Sequence, residues 1–147
     1  MKSKTVRLGL EIGSALLLLL AVVVIYSQPY TFHGSLIEPP VRAADFVLTA
    51  QNGQPFRLSD QSGKVVLLFF GYTACPDVCP TTLVEFKKIR AQLGAQAERA
   101  RFVFITVDPA RDTPTRLRDY LARFDPALIG LTGADTDLEA VWKNYGV

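Results

Sequence analysis

Residues 64–80 read KVVLLFFGYTACPDVCP and carry the strongest indication of the fold. Its first half, Val65 to Phe70, is apolar without alternation, which predicts a strand covered on both faces, as at the centre of a parallel sheet. Its second half holds the two cysteines of the chain, Cys75 and Cys79, four positions apart. The sequence therefore places both sulfurs on the turn from a buried strand into a helix, where we expect one redox or metal-binding pair.

Strand and helix patterns alternate through the rest of the domain. The predicted elements are a hairpin over 45–49 and 55–58, strands over 65–70, 101–107 and 128–131, and helices over 80–93, 117–124 and 138–145. An Asn-Gly pair lies between the two arms of the hairpin, as tight turns prefer. Strands that alternate with helices form βαβ units, so the predicted fold class is α/β with a mainly parallel sheet.

Charge and composition exclude several function classes. The net charge of +2 comes from the first 43 residues, and the remainder balances 12 basic against 12 acidic side chains. A neutral domain without a basic stripe argues against nucleic acid as a partner. Two cysteines and one histidine cannot form a four-ligand Cys/His zinc site, and two cysteines do not make a disulfide framework.

The N-terminus has the pattern of a membrane anchor. Residues 1–7 carry three basic side chains, and residues 8–26 form an apolar stretch interrupted only by Glu11. About 20 residues span a bilayer, and the basic flank predicts a cytoplasmic N-terminus with the domain on the periplasmic side of the inner membrane. A cleaved signal peptide is the alternative, but no clean cleavage site follows Tyr26.

Residues 27–43 follow the anchor and contain three prolines and a glycine without a sustained period. This composition predicts an extended tether that leads to the domain over 44–147. His33, the one histidine of the chain, lies in the tether. A lone histidine in such a segment is most often solvated, so a ligand role for His33 is the minority interpretation.

Cys79 immediately precedes Pro80, a residue suited to the first position of a helix. This predicts Cys79 at the N-cap, where the helix dipole lowers the thiol pKa and makes Cys79 the more acidic of the two cysteines. An alternative start at Thr82, with Glu85 completing a capping box, leaves Cys79 about one turn earlier and weakens the effect.

A second loop, residues 107–114, leaves the same edge of the predicted sheet and reads VDPARDTP. Asp108 ends a strand beside the cysteine strand and is placed to face the sulfurs. Arg111 and Asp112 are either site residues or solvated turn residues, with neither interpretation favoured. Thr113 is the expected cap of a helix that opens at Pro114.

Two thiolates with few other donors suit Cu(I), which accepts low coordination, better than zinc, which takes four ligands. A Cys-x-x-x-Cys pair also fits thiol-disulfide exchange, in which one cysteine attacks a partner disulfide and the other resolves it. The alternatives without such chemistry are a bridge that only braces the loop, or two buried thiols that pack as small hydrophobic groups.

Three motifs together resemble the Sco/SenC family: GYTACPDVCPTTL at 71–83, VDPARDTP at 107–114 and IGLTG at 129–133. The resemblance implies a membrane-anchored, thioredoxin-like copper protein that helps to assemble the binuclear copper centre of cytochrome c oxidase. It implies Cys75 and Cys79 as Cu(I) ligands and Asp108 as the acidic residue of the second loop. The implied partner is the copper-bearing oxidase subunit or another copper or thiol protein. The predicted supporting residues are Asp77, Asp108, Arg111 and Asp112.

The sequence departs from the family pattern in two places. Ala74 stands where the family usually has histidine, and the family's third copper ligand, a histidine, falls beyond the position of Val147. The last strand pair and helix of a thioredoxin-like sheet are also missing, so we expect a fragment whose 65–70 strand becomes an exposed edge. The sequence favours a metallochaperone over an enzyme, with a thiol-disulfide oxidoreductase as the alternative.

Overall fold

A computed structural model describes residues 2–27 and 34–147 and divides the chain into two units, Met1–Val41 and Arg42–Val147. The first unit contains helix α1, Lys2–Tyr26, over the segment for which the sequence predicts an anchor. Among the residues with a described placement, no helix is long and apolar enough to cross a membrane, so the predicted transmembrane anchor is not confirmed. His33 lies outside the described residues.

The second unit is a five-stranded sheet flanked by three helices. Its elements are β1 Val47–Ala50, β2 Pro55–Arg57, β3 Val65–Gly71, α2 Val78–Leu93, β4 Ala100–Thr106, α3 Pro114–Leu121, β5 Ile129–Thr132 and α4 Asp135–Tyr145. Two short 3-10 turns, Ser59–Gln61 and Gly94–Arg99, were not predicted. Every predicted strand and helix of this unit forms, with bounds shifted by a few residues.

The strands are ordered β2-β1-β5-β4-β3. β3 pairs with β4 and β4 with β5 in parallel, while β1 pairs antiparallel with both β2 and β5. The hairpin between β1 and β2 closes where the Asn52 Oδ1 accepts the backbone N–H of Gln54 at 3.0 Å. The predicted α/β class with a mixed sheet and an N-terminal hairpin is therefore confirmed.

Strand β4 separates two hydrophobic clusters because its side chains alternate between the faces of the sheet. Val103 and Ile105 lie in the cluster covered by α4. Phe102 and Phe104 lie in the cluster covered by α2 and α3, and Cys79 belongs to this second cluster. The site at the end of the sheet is therefore backed by a buried aromatic core.

The position of β3 in the sheet contradicts one prediction and agrees with another. The apolar run from Val65 to Phe70 predicted a central strand, but β3 lies at the edge of the sheet, with β4 as its neighbour among the described residues. Its residues are correspondingly half-buried, whereas β4 is almost wholly buried. The expectation that this strand is an exposed edge agrees with the structure, because no further strand pairs with it in the described chain.

Candidate thiol and metal centre

The two cysteines lie on different elements at the carboxyl ends of the parallel strands. Cys75 belongs to the loop between β3 and α2, while Cys79 is the second residue of α2. The N-cap is Asp77 rather than Cys79, and the helix begins at Val78. The prediction of Cys79 as cap is therefore wrong, since the Asp77 carbonyl already accepts the N–H of Thr81 at 3.2 Å.

The starting point at Thr82 is also excluded, because Thr82 lies one turn inside the helix. Its hydroxyl donates to the carbonyl of Val78 at 2.9 Å, so the side chain bonds back along α2 instead of capping it. The helix accommodates Pro80 in its first turn, where a missing N–H costs no hydrogen bond.

Gly71 at the end of β3 allows Cys79 to approach the sheet. A Cβ built at Gly71 would lie 2.9 Å from the Cys79 Sγ and 2.9 Å from the ring of Phe104. These separations are shorter than carbon contacts allow, so only a residue without a side chain fits beside the sulfur at this position.

The pKa values of the two thiols are shifted in opposite directions. Backbone N–H groups of Asp77 and Cys79, followed by the Cys79 thiol, donate to the Cys75 sulfur and lower the Cys75 pKa from 9.0 to about 7. Burial raises the pKa of Cys79 to about 11. Cys79 is only 4% exposed, whereas Cys75 is partly open to solvent. The prediction that Cys79 is the more acidic thiol is therefore wrong.

A fully buried carboxylate, Asp112, fixes the cysteine loop against the end of β4. It accepts the Thr73 backbone N–H at 3.0 Å, the Thr73 hydroxyl at 2.5 Å and the Thr106 hydroxyl at 2.7 Å. The Arg116 Nε lies 3.9 Å from its Oδ1. The interpretation of Asp112 as a solvated turn residue is wrong, because this carboxylate joins the two loops from inside.

Asp108 and Arg111, the other predicted supporting residues of the second loop, pair with each other. The Arg111 Nε lies 3.1 Å from the Asp108 Oδ2, and the arginine is mostly exposed. The Asp108 backbone N–H donates to the Thr106 hydroxyl at 2.9 Å, and the expectation that Asp108 faces the sulfurs stays a prediction. Thr113 caps α3 as predicted, since its hydroxyl accepts the N–H of Arg116 at 3.2 Å.

The remaining supporting residue, Asp77, acts through its backbone. Its N–H is the largest contribution to the lowered pKa of Cys75. Its side chain makes no capping hydrogen bond. The contribution therefore belongs to the position at the helix N-terminus, where backbone N–H groups lack partners within the helix.

Sequence reasoning missed three residues of the site, Thr73, Thr106 and Tyr120. Tyr120 packs its ring 6.2 Å from Phe104, and its buried hydroxyl has no hydrogen-bond partner in the described chain. Burial raises the Tyr120 pKa to about 12. The one usable signal was the polar Thr106 at the end of a buried apolar strand, since a buried hydroxyl requires a partner.

The described residues offer two sulfurs as the donor set. Both cysteines are free, and no group of three or more His, Cys, Asp or Glu side chains in the described part of the chain is arranged to hold a metal ion. The pair can therefore act as an exposed acidic thiol with a buried partner thiol, or as two soft ligands for an ion of low coordination number.

Fold and site together define a thioredoxin-like domain with a Cys-x-x-x-Cys pair at the carboxyl ends of the parallel strands. The SCO1/SenC family model matches residues 36–147. The chain therefore belongs to the SCO1/SenC family.

The comparisons also identify individual relatives. A "Putative copper-binding protein" of Stutzerimonas stutzeri is 46% identical over 101 residues, which are 68% of this chain and 50% of the relative. A "SCO2-like protein" of Rickettsia felis is 37% identical over 141 residues, 95% of this chain and 69% of the relative. The chain thus spans half the length of the first relative and about two thirds of the second.

A solved structure shows the same fold. Bradyrhizobium japonicum ScoI with copper bound superposes with a TM-score of 0.69 at 42% sequence identity. The match covers 72% of this chain and 68% of that structure.

Proposed function

We propose that this chain binds one Cu(I) ion through Cys75 and Cys79 and passes it to a copper-bearing partner in cytochrome c oxidase assembly. The proposal rests on two free thiols in mutual contact, one in the loop after β3 and one in the first turn of α2, of which the loop thiol is partly exposed and acidic. Among the described residues no group of three His, Cys, Asp or Glu side chains is arranged to hold an ion, and two soft donors suit Cu(I) better than zinc.

Because the two thiols differ in acidity and exposure, they have different roles in binding and releasing the ion. With a pKa of about 7, a large fraction of Cys75 is already thiolate at neutral pH. Cys79 must lose its proton when the ion binds, because its pKa is about 11. Incoming copper therefore meets Cys75 first. A partner ligand approaching from solvent likewise displaces the exposed Cys75 sulfur before the buried Cys79 sulfur.

Family membership and the copper bound to the Bradyrhizobium ScoI structure support the choice of ion. The resemblance of both loops to the Sco/SenC pattern supports the choice of partner, the copper-bearing subunit of the oxidase. We further propose that the basic and apolar N-terminal segment attaches the domain to the inner membrane with the cysteines on the periplasmic side. The excess of basic residues before residues 8–26 supports this orientation.

Thiol-disulfide exchange is the second candidate function. The acidity of Cys75 favours it, because an attacking thiol works best with a pKa near ambient pH. The Cys75 thiolate would attack a partner disulfide and form a mixed disulfide while one partner thiolate leaves. The Cys79 thiolate would then displace the second partner sulfur and form a Cys75–Cys79 disulfide, so that the partner is reduced by two electrons.

Anaerobic titration of the full, reduced chain with Cu(I) against a chromogenic chelator tests the first proposal. We expect one ion retained per chain, and loss of retention in both Cys75→Ser and Cys79→Ser. Val78→Ser is the matched control, because Val78 lies between the cysteines with a 63% exposed side chain. Surrender of copper by the unaltered chain, or undiminished retention by either cysteine variant, would contradict the proposal.

A further inference from the structure

An open cleft of about 570 Å³ lies beside the cysteine loop, between that loop and α3. Three arginines, Arg111, Arg116 and Arg123, line it together with the hydroxyl-bearing residues Thr73 and Tyr120. Neither the thiol chemistry nor the copper chemistry described above uses this cleft. Its lining contains a single acidic residue, Asp119, whose carboxylate lies 3.2 Å from the Arg118 Nε.

The arginines reach the cleft with unused donors. Arg111 approaches Asp108 through Nε, and Arg116 uses Nε both toward Asp112 and to donate to the Thr73 hydroxyl at 2.7 Å. A guanidinium carries five N–H groups, so the terminal nitrogens of both arginines keep their hydrogen-bonding capacity. Such planar forks match the geometry of carboxylates.

Arg123 has no ion pair within the described part of the chain, although its charge acts on Tyr120 and favours the ionised phenol. The Tyr120 hydroxyl is buried and also has no hydrogen-bond partner there. Because that hydroxyl is closed off from solvent, the feature that an occupant of the open cleft meets is the uncompensated Arg123 cation, which indicates an anionic group.

The position of the cleft identifies the source of that occupant. Thr73 lines the cleft two residues before Cys75, and Asp112 holds this threonine by two hydrogen bonds. The cleft therefore opens beside the loop that carries the partly exposed thiol. A macromolecule that exchanges copper or sulfur at Cys75 approaches this surface.

We propose that the cleft lined by Arg111, Arg116 and Arg123 binds the carboxylates of an acidic segment on the partner protein and so docks that partner over Cys75. The proposal deepens the proposed function and rests on it for the existence of an exchange partner. Charge attraction of this kind speeds encounter and sets orientation more than it adds affinity. The contact is therefore expected to weaken with salt.

The test measures binding of a fluorescent peptide of alternating aspartate and glutamate, without cysteine, to the reduced, copper-free full chain. We expect affinity to fall about tenfold in Arg123→Glu and Arg111→Glu, and to fall with rising salt. Arg99→Glu is the matched control, because it makes the same change in charge at an exposed residue that does not line the cleft. Arg116 is left intact because it supports Thr73.

Several outcomes would overturn the proposal: no binding by the unaltered chain, or equal weakening by Arg99→Glu and Arg123→Glu. Displacement by inorganic phosphate at constant ionic strength, while acetate has no effect, would also overturn it and identify a phosphate site. Copper retention by Arg123→Glu is measured in parallel. Normal retention with lost peptide binding supports the docking role, whereas loss of copper from the unaltered chain bears only on the proposed function.

Discussion

The two halves of the Cys-x-x-x-Cys motif differ in their surroundings although they are four residues apart. Cys75 lies in a loop, partly exposed, with backbone N–H groups directed at its sulfur. Cys79 lies inside the first turn of α2, packed against Gly71 and the aromatic cluster. The unpaired amides of the helix N-terminus therefore stabilise a thiolate on the preceding loop, while burial keeps the helical thiol protonated.

Removal of the Asp112 carboxylate, which holds the loop that carries Cys75, should cause the largest loss of stability. Asp112→Ala leaves the Thr73 N–H and the hydroxyls of Thr73 and Thr106 without their buried acceptor. We expect the free energy of unfolding to fall by about 3 to 5 kcal/mol, because buried groups that lose a charged partner pay their desolvation cost. Urea unfolding followed by circular dichroism measures this change.

The control for this prediction is Asp108→Ala. Its ion pair with Arg111 lies near the surface, so the expected loss is below about 1 kcal/mol. Similar losses in the two variants would show that Asp112 does not have the structural role assigned to it.

Alkylation should separate the two thiols chemically. With iodoacetamide in limited amount at pH 7, we expect Cys75 to react about a hundredfold faster than Cys79, since the difference in thiolate fraction outweighs the lower nucleophilicity of the more acidic thiol. Mass spectrometry of the digested protein measures both rates. The rate at Cys75 should rise with pH around a midpoint of about 7, and faster labelling of Cys79 would refute the assigned order.

The same two pKa shifts predict how stability changes with pH. Between about pH 7 and 9 the unfolded chain keeps the Cys75 proton that the folded chain has lost, so the Cys75 contribution to the free energy of unfolding increases with pH. Between about pH 9 and 11 the folded chain keeps the Cys79 proton, so the Cys79 contribution decreases. In Cys75→Ser, the free energy of unfolding should no longer increase between about pH 7 and 9. In Cys79→Ser, it should no longer decrease between about pH 9 and 11.

Gly71→Ala should destabilise the packing around Cys79, the cysteine that lies in α2. The new methyl group would lie 2.9 Å from the Cys79 Sγ and from the Phe104 ring, and overpacking of this kind costs about 1 to 3 kcal/mol. Thermal unfolding measures the loss. Gly34→Ala serves as control, because an added Cβ there meets nothing within 4 Å, and equal stability of the two variants would argue against close packing at Cys79.

The smallest expected effect concerns the cap of α3, which begins directly after the loop that carries Asp112. Thr113→Ala removes the acceptor for the Arg116 N–H and should cost about 1 kcal/mol. Thr115→Ala, on the exposed surface of the same helix, should change stability by less than about 0.5 kcal/mol. Urea midpoints that rank the two variants in the opposite order would exclude Thr113 as a cap.

Local patterns were sufficient to predict the elements of the domain. Apolar periodicity placed every helix and strand, and the Asn-Gly turn and the Thr113 cap formed as expected. The position of β3 at the sheet edge could not be predicted from its composition. An apolar run indicates that both faces of a strand are covered, but it does not indicate whether strands pair on both sides of it.

The site was less predictable, because its properties depend on burial and on contacts between distant segments. Neighbouring residues indicated where Cys79 lies, but its acidity is decided by packing against Gly71 and Phe104. The sequence left Asp112 open between a site residue and a solvated turn residue, because its partner Thr73 lies 39 positions away in the chain. Tyr120 looked like an ordinary core residue of a helix, and only the structure reveals its unpaired hydroxyl.

X-ray absorption of the reduced full chain loaded with Cu(I) counts the sulfurs around the ion and so shows whether both cysteines bind it. We predict one copper per chain with two sulfur neighbours, reduced to one neighbour and weakly held copper in Cys79→Ser. Copper bound by one sulfur in the unaltered chain, or by nitrogen and oxygen alone, would contradict the claim that this exposed and this buried thiol share a single ion.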